Sequence, residues 1–122
     1  MRNSRDAHCQ NLRIFEIDAL GHYRGTLAEV DTEVSVGQAF VDQCVRHLNE
    51  GTLSPAAAAQ AKLWCTELQQ RSVDRCLQLF GGYGYLADYG IEKIVRDLRV
   101  HQILEGTNEI MRLIVARGLV GR

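Results

Sequence analysis

The chain has 122 residues, a length that predicts one domain with a single core. Its 46% apolar residues and single proline exclude a disordered or proline-rich chain, and no apolar run approaches the roughly 20 residues of a membrane span. Fourteen basic and fifteen acidic residues give a net charge of −1, so the composition lacks the basic character typical of nucleic-acid binding.

The N-terminal stretch, residues 1–25, has no sustained helical or strand period, and we expect it to be a divergent or non-native segment. Its apolar patch between Leu12 and Leu20 fits either a short strand or one helical turn. A secretory hydrophobic region is absent, and acidic residues such as Asp6 and Glu16 are unusual for a mitochondrial transit peptide. We therefore expect the domain to comprise residues 26–122.

The first predicted helix runs from about Leu27 to Glu50. Thr26 and Glu29 have the spacing of a capping box, in which a hydroxyl and a carboxylate satisfy backbone N–H groups at the helix start. Apolar residues then recur at intervals of three, four and seven, which indicates an amphipathic helix. Gly51 is a typical residue to follow a helix end.

The second predicted helix is about 26 residues long. Ser54 is a good capping residue, Pro55 suits the first helical position, and Gly81 with Gly82 should end the helix. Because the connection after Gly51 is short, we expect the two long helices to pack antiparallel.

Two shorter helices should follow. The first runs from Ile91 to Val100 and should bury its apolar residues, namely Ile91, Ile94, Val95 and Leu98. The second should begin with Thr107 or Asn108 as its cap and continue to about Leu119. The sequence thus predicts an all-α fold, an antiparallel four-helix bundle.

The cysteines at positions 9, 44, 65 and 76 form no Cys-x-x-Cys pair and have no histidines at zinc-site spacing. We interpret them as reduced thiols of an intracellular protein and expect no metal site. The bacterial cytoplasm and the mitochondrial matrix both fit this interpretation, and secretion does not.

Two segments interrupt the helical pattern. From Gln78 to Tyr85 three glycines lie at a helix end, either as a simple helix terminus or as backbone that closely approaches a phosphate group. From His101 to Glu109 an acid, Glu105, precedes the last helix. It could be a loop acid that favours the positive helix end, or a general base whose pKa is raised by apolar surroundings such as Ile103 and Leu104.

These segments resemble the acyl-CoA dehydrogenase family. The family's C-terminal signature is similar at every position to Gln78, Gly81, Gly82, Gly84, Tyr85, Asp88, Lys93 and Asp97. The run from Leu104 to Ile110 (LEGTNEI) resembles the family's Glu-Gly-Thr active-site segment. The resemblance extends from about Leu27 to Val120.

The resemblance implies that the chain is the C-terminal helical domain of a longer flavoenzyme. Such enzymes bind FAD and an acyl-CoA thioester, and assemble as dimers or tetramers through this bundle. A carboxylate removes the α-proton, the β-hydrogen leaves as hydride to the flavin, and a trans-2-enoyl-CoA forms. The electrons then pass to an electron-transfer flavoprotein.

By position in the family's motifs, Glu105 resembles the catalytic base and Gly106 would lie beside the substrate. Thr107 and Glu109 fall where family members contact FAD at the start of the last helix. A further segment would approach FAD from the neighbouring subunit, and it comprises Gln78, Phe80, Gly81 and Gly82. The residues Asp88, Lys93, Arg96 and Asp97 also have a plainer interpretation as ion pairs on the third helix.

The family's Arg-x-x-Phe-Gly-Lys segment, which also contacts FAD, has no counterpart in residues 1–25. We therefore expect the isolated chain to be inactive. A stand-alone helical oligomerisation module without catalysis is the alternative, and an acyl-CoA oxidase is a weaker one. The acyl chain that would be used is not encoded in recognisable residues of this segment.

Overall fold

The structure is a computed structural model that describes residues 21–121. Within that range the chain forms four α-helices and three short 3-10 helices, and no β-strand. The α-helices are α1 (His22–Asn49), α2 (Pro55–Phe80), α3 (Ile91–Arg99) and α4 (Asn108–Val120). The prediction of an all-α, four-helix fold is confirmed. The predicted apolar patch at 12–20 and Cys9 lie outside the described residues.

Helix α1 begins earlier than predicted, and the predicted capping box is wrong. The helix starts at His22 after Gly21, whose φ is +64°. The hydroxyl of Thr26 donates to the carbonyl oxygen of His22 at 3.1 Å, so it bonds within the helix and does not cap it. The Thr-x-x-Glu spacing fits a helix interior as well as a helix start, which is why the pattern misled. The domain boundary at residue 26 stays a prediction.

The connection between the two long helices follows the expected local chemistry. Gly51 has a φ of +71°, and the N–H of Thr52 donates to the carbonyl of His47 at 2.8 Å, which closes the end of α1. The Ser54 hydroxyl oxygen accepts from the N–H of Ala57 at 3.1 Å, and Pro55 is the first residue of α2. The short turn returns the chain along α1, as predicted.

Helix α2 is the element on which the fold is assembled, because it contacts each of the other three α-helices. The buried apolar residues come from all four helices, and they are Cys44, Ala59, Leu68, Ile91 and Met111. In α1, a Cβ added at Gly37 would lie only 3.0 Å from a methyl carbon of Leu68, so the absence of a side chain lets the helices approach. No helix of the described range is long and apolar enough to cross a membrane.

The predicted burial of α3 is only partly right. Ile91 is buried, whereas Val95 and Leu98 are half-buried and Ile94 is 46% exposed. The prediction for Ile94 is wrong because this short helix packs on α2 through the side that carries Ile91. Charged neighbours pair along the helix surface, Lys93 with Asp97 and Arg96 with Glu92, as the plainer interpretation of these residues expected.

Two 3-10 helices, Gly81–Tyr85 and Ala87–Tyr89, lead from α2 to α3. Gly84 is buried against the last turns of α2, and a Cβ there would lie 2.8 Å from Leu77 Cδ1 and 3.0 Å from the Leu77 carbonyl oxygen. Beyond it, the rings of Tyr83 and Tyr89 are 5.3 Å apart, and Phe80 meets Tyr89 edge to face. The segment is therefore folded back on α2 by close backbone packing.

Replacing Gly84 by Ala should lower the free energy of unfolding by about 1–3 kcal/mol, because the added methyl overlaps backbone that cannot move freely. Gly82→Ala is the matched control, since no atom lies within 4 Å of a Cβ built there. Urea unfolding of both variants measures the difference. Equal stability of the two would contradict the packing described for Gly84.

Candidate functional site

The turn before α4 has an unusual backbone. Glu105 has a φ of +56° and is the one non-glycine residue with a positive φ in residues 21–121. Gly106 follows with a φ of +89°. A left-handed conformation costs a residue with a Cβ roughly 1–2 kcal/mol, and such strain persists when surrounding contacts hold it. The candidate base from the sequence therefore lies at the most strained backbone position described.

Gly106 is favoured by its positive φ, and a side chain at this position would also displace the flexible end of Met111. A Cβ at this position would lie 2.8 Å from Cε of Met111, a buried residue in the first turns of α4. On the other side of Glu105, the N–H of Leu104 donates to the carbonyl of Val100 at 3.0 Å. The turn is thus confined on both sides of Glu105.

Helix α2 holds this turn through Lys62. The Lys62 ammonium donates to the carbonyl oxygen of Gly106 at 2.8 Å and to Oδ1 of Asn108 at 2.9 Å. Both acceptors belong to the residues that immediately flank Thr107. One cation therefore attaches the end of the turn and the first residue of α4 to the first half of α2.

The amide of Asn108 is itself fully engaged. Asn108 is 3% exposed, and its Nδ2 donates to the hydroxyl oxygen of Thr66 at 3.0 Å. The Thr66 hydroxyl donates in turn to the carbonyl of Lys62 at 2.9 Å, and Gln102 donates to the Thr66 carbonyl at 3.3 Å. We define the polar cluster as Lys62, Thr66, Gly106 and Asn108. Thr66 and Asn108 are buried, Lys62 is half-buried and Gly106 is exposed, and the two buried side chains are hydrogen-bonded to each other, as buried polar groups must be.

Sequence analysis did not identify Lys62 or Thr66 as functional. A weak signal was available, because Lys62 is one of only two lysines and follows the alanine-rich start of α2. Its partners lie more than forty positions away in the chain, so only the packing of α2 against α4 brings them together.

The side chain of Glu105 is exposed, and it forms no ion pair or hydrogen bond with residues 21–121. Ile103 and Leu104 are also more than half exposed. The expectation that these two residues bury the carboxylate is wrong for the described chain, because their side chains project from the surface of the turn. The carboxylate is free to meet a group supplied from outside these residues.

Thr107 and Glu109 lie at the start of α4. Thr107 precedes the helix, as predicted, but its side chain does not cap the helix backbone. The Glu109 carboxylate accepts from its own backbone N–H and from the Thr107 hydroxyl, and these bonds lower the pKa of Glu109. Arg112 pairs with Glu67 of α2 and lies 3.7 Å from Glu109. The helix start thus carries an ionised acid.

The predicted FAD segment, from Gln78 to Gly82, lies at the C-terminal end of α2, far from Lys62. Gln78, Gly81 and Gly82 are exposed, and Phe80 is half-buried. Gly81 has a φ of +57°, and the space where Cβ atoms of Gly81 and Gly82 would lie is open. From Lys62 to Phe80, α2 rises about 27 Å at 1.5 Å per residue. The structure therefore does not bring this segment close to Glu105 within one chain.

No metal site is found in the described range, where histidine, cysteine and acidic side chains form no cluster able to hold an ion. Within residues 21–121, Cys44, Cys65 and Cys76 form no disulfide. Burial, and to a lesser degree Cys44, raises the pKa of the Cys65 thiol, so it stays protonated at neutral pH.

Comparison with known proteins gives a consistent result. Residues 7–120 match the family model for the acyl-CoA dehydrogenase C-terminal domain. The long-chain specific acyl-CoA dehydrogenase of Rattus norvegicus mitochondria is 45% identical over 94 residues, which cover 77% of this chain and 22% of the relative. The chain therefore spans about a fifth of the length of this curated relative.

Two solved structures are similar in fold. The crystal structure of an acyl-CoA dehydrogenase from Geobacillus kaustophilus matches with a TM-score of 0.82 and 36% identity, covering 85% of this chain and 27% of that one. A structure described as an electron transferring flavoprotein of Acidaminococcus fermentans matches with a TM-score of 0.82 and 31% identity, covering 87% of this chain and 28% of that one.

The backbone strain at Glu105 can be tested by comparing the stabilities of two variants, Glu105→Gly and Glu105→Ala. Glu105→Gly should be about 0.5–1 kcal/mol more stable than Glu105→Ala, because only glycine adopts a positive φ without cost. Urea unfolding gives the difference. At most positions alanine is the more stable of the two, so a more stable Glu105→Ala variant would contradict the left-handed conformation.

The lowered pKa of Glu109 predicts a pH dependence of stability. Because the carboxylate is favoured in the folded state, its contribution is present above the carboxyl's ordinary pKa and is lost as pH falls through the lowered value. Unfolding free energies of the wild type and of Glu109→Gln, measured from pH 7 to pH 3, should therefore converge in acid. A difference that is constant over this range would refute the assignment.

Proposed function

Because this chain belongs to the acyl-CoA dehydrogenase family, as its C-terminal domain, we propose that it supplies the catalytic base and part of the cofactor surface of an FAD-dependent acyl-CoA dehydrogenase. The reaction is α,β-dehydrogenation of an acyl-CoA thioester to a trans-2-enoyl-CoA. The observation that carries the proposal is Glu105, a carboxylate with no partner in the described range, held at a positive φ and followed by a glycine that also has a positive φ.

In this role Glu105 accepts the α-proton of the thioester on its carboxylate oxygen. An α-proton is weakly acidic, so the thioester carbonyl must be polarised and water excluded. The backbone N–H groups of Glu105 and Gly106 form no hydrogen bond with residues 21–121, which leaves both donors available for that carbonyl oxygen. The carboxylate is exposed in this chain, so a bound substrate or the remaining parts of the enzyme must cover it.

FAD, when bound, would supply the acceptor for the β-hydride. The open space at Gly81 and Gly82 fits close approach of a large planar or phosphate-bearing group, with Gln78 and Phe80 beside it. At the start of α4, the Thr107 hydroxyl and the Glu109 carboxylate could also meet the cofactor. Because a carboxylate is an acceptor and is repelled by phosphates, Glu109 suits the hydroxyl or amino groups of FAD.

The distance between the two segments proposed to contact FAD, one at the end of α2 and one at the start of α4, supports a homo-oligomer. If one FAD meets both Thr107 and Phe80, the long rise of α2 between them favours contributions from two copies of the chain. Large apolar side chains are also exposed outside the polar cluster, including Val36 and Leu48 of α1 and Leu119 and Val120 of α4. Exposed apolar surface of this kind is typical of interfaces.

We further propose an acyl-CoA substrate and an electron-transfer flavoprotein as redox partner. A mitochondrial matrix or bacterial cytoplasmic location fits both. The mitochondrial location of the rat relative and the description of the Acidaminococcus structure support these assignments. The isolated 122-residue chain is expected to lack activity, because it spans so little of its relatives. A non-catalytic oligomerisation module remains the second candidate, favoured by the same exposed apolar residues.

Catalysis can be tested in a chimaera in which residues 26–121 replace the matching segment of the Geobacillus kaustophilus enzyme. Glu105→Gln should lower the rate of flavin reduction by acyl-CoA about 10²–10⁴-fold while the flavin stays bound, because only proton abstraction is lost. Glu29→Gln, an exposed change in α1, is the control. Unchanged flavin reduction in Glu105→Gln would assign the base to another residue.

The first measurement on the chain itself is a titration with FAD, followed by flavin absorbance and fluorescence. We expect no saturable binding, since most of the expected cofactor site lies outside these residues. Tight, saturable binding would instead favour an independent flavin-binding protein.

A further inference from the structure

We propose that Lys62 is a positioning residue for Glu105. Its ammonium fixes the turn between Val100 and Asn108, so that the strained backbone of Glu105 persists and its carboxylate keeps one orientation. The inference rests on the proposed role of Glu105 as base, but the geometry that supports it is independent of that role.

The first argument is where the ammonium attaches. Lys62 donates to the carbonyl of Gly106, the residue directly after Glu105, at 2.8 Å. The N–H of Leu104, the residue directly before Glu105, is held by Val100 at 3.0 Å. Glu105 therefore lies between two anchored peptide groups, and its φ of +56° is set by them and not by contacts of its own side chain.

The second argument is that the ammonium is itself held in place. Asn108 Oδ1 accepts from Lys62, while Nδ2 of the same amide donates to Thr66. The Thr66 hydroxyl donates back to the Lys62 carbonyl one helical turn earlier. The Asn108 amide presents Oδ1 to the ammonium and Nδ2 to the Thr66 hydroxyl, so the orientation of this amide and the direction of Lys62 depend on each other.

The third argument concerns charge. No carboxylate pairs with Lys62 in residues 21–121, although four arginine or lysine side chains there do form ion pairs. The ammonium instead donates to a backbone carbonyl and an amide oxygen, and its charge strengthens both hydrogen bonds. The two hydrogen bonds together attach the turn to α2.

The test is an NMR comparison in the full 122-residue chain of Lys62→Met with Lys93→Met, the same change at the other lysine. In Lys62→Met we expect amide order parameters at residues 104–107 to fall from about 0.85 to below 0.6, and the backbone shifts of Glu105 to move toward unstrained values. Amides in the middle of α2 and α4 should keep their order. Lys93→Met should leave the turn unchanged.

Conservative variants keep the test decisive. Lys62→Arg, whose guanidinium can donate to two acceptors at once, should restore order to the turn in part. If Lys62→Met does not fold, Lys62→Gln retains a shorter neutral donor and should loosen the turn with a smaller loss of stability. A turn that stays rigid in the folded Met or Gln variant would overturn the proposal. A loss of order spread evenly over α2 and α4 would also overturn it.

A kinetic measurement in the flavin-loaded chimaera separates this inference from the proposed function. Lys62→Met should lower kcat by roughly 10–100-fold, since a misplacement of about 1 Å can cost 10²-fold, with flavin content and KM little changed. If Glu105→Gln is fully active, the proposed function fails, while the NMR result still decides whether Lys62 positions the turn. If Glu105→Gln is inactive but Lys62→Met has normal kcat and a rigid turn, the positioning role alone fails.

Discussion

The hydrogen bonds of one ammonium group connect the parts of this molecule that matter for its chemistry. Lys62 lies in the first half of α2, and its two acceptors lie on either side of Thr107, where the turn ends and α4 begins. Without that attachment, the turn would join α3 and α4 as an exposed loop with two left-handed residues in succession. With it, the turn is attached to α2, which packs against each of the other α-helices. The strained residue Glu105 directly precedes Gly106, whose carbonyl accepts from Lys62.

Helix α2 makes this possible because it is the common packing partner of the other helices. The buried Thr66 bonds to Asn108 of α4 and the buried Leu68 lies against Gly37 of α1, so a small apolar core and a polar cluster share one helix. The small residues matter as much as the large ones. Gly37 allows α1 to approach Leu68, and Gly84 allows the chain after α2 to fold back on Leu77. The core is modest for a chain of this length, and much apolar surface stays exposed.

That exposed surface agrees with a segment that functions within a larger assembly. The two regions proposed to meet FAD lie near opposite ends of the same stretch of α2, and neither encloses a ligand within one chain. The Glu105 carboxylate is likewise uncovered by the described residues. These features agree with a C-terminal domain, and we propose that the remaining walls of the site come from other parts of the enzyme and from another subunit.

Local patterns in the sequence were sufficient for the fold class and the bounds of α2, whereas Glu105 became the candidate base through the resemblance of its segment to the family. Ser54, Pro55 and the glycines after Phe80 act through their own backbone preferences, which do not depend on distant residues. The start of α1, the exposure of Ile94 and the polar cluster could not be obtained in this way. A Thr-x-x-Glu spacing is equally compatible with a helix interior, and burial depends on which face a neighbour covers. Lys62, Thr66 and Asn108 meet only because α2 and α4 pack together, and contacts between residues so far apart along the chain leave no periodic trace in the sequence.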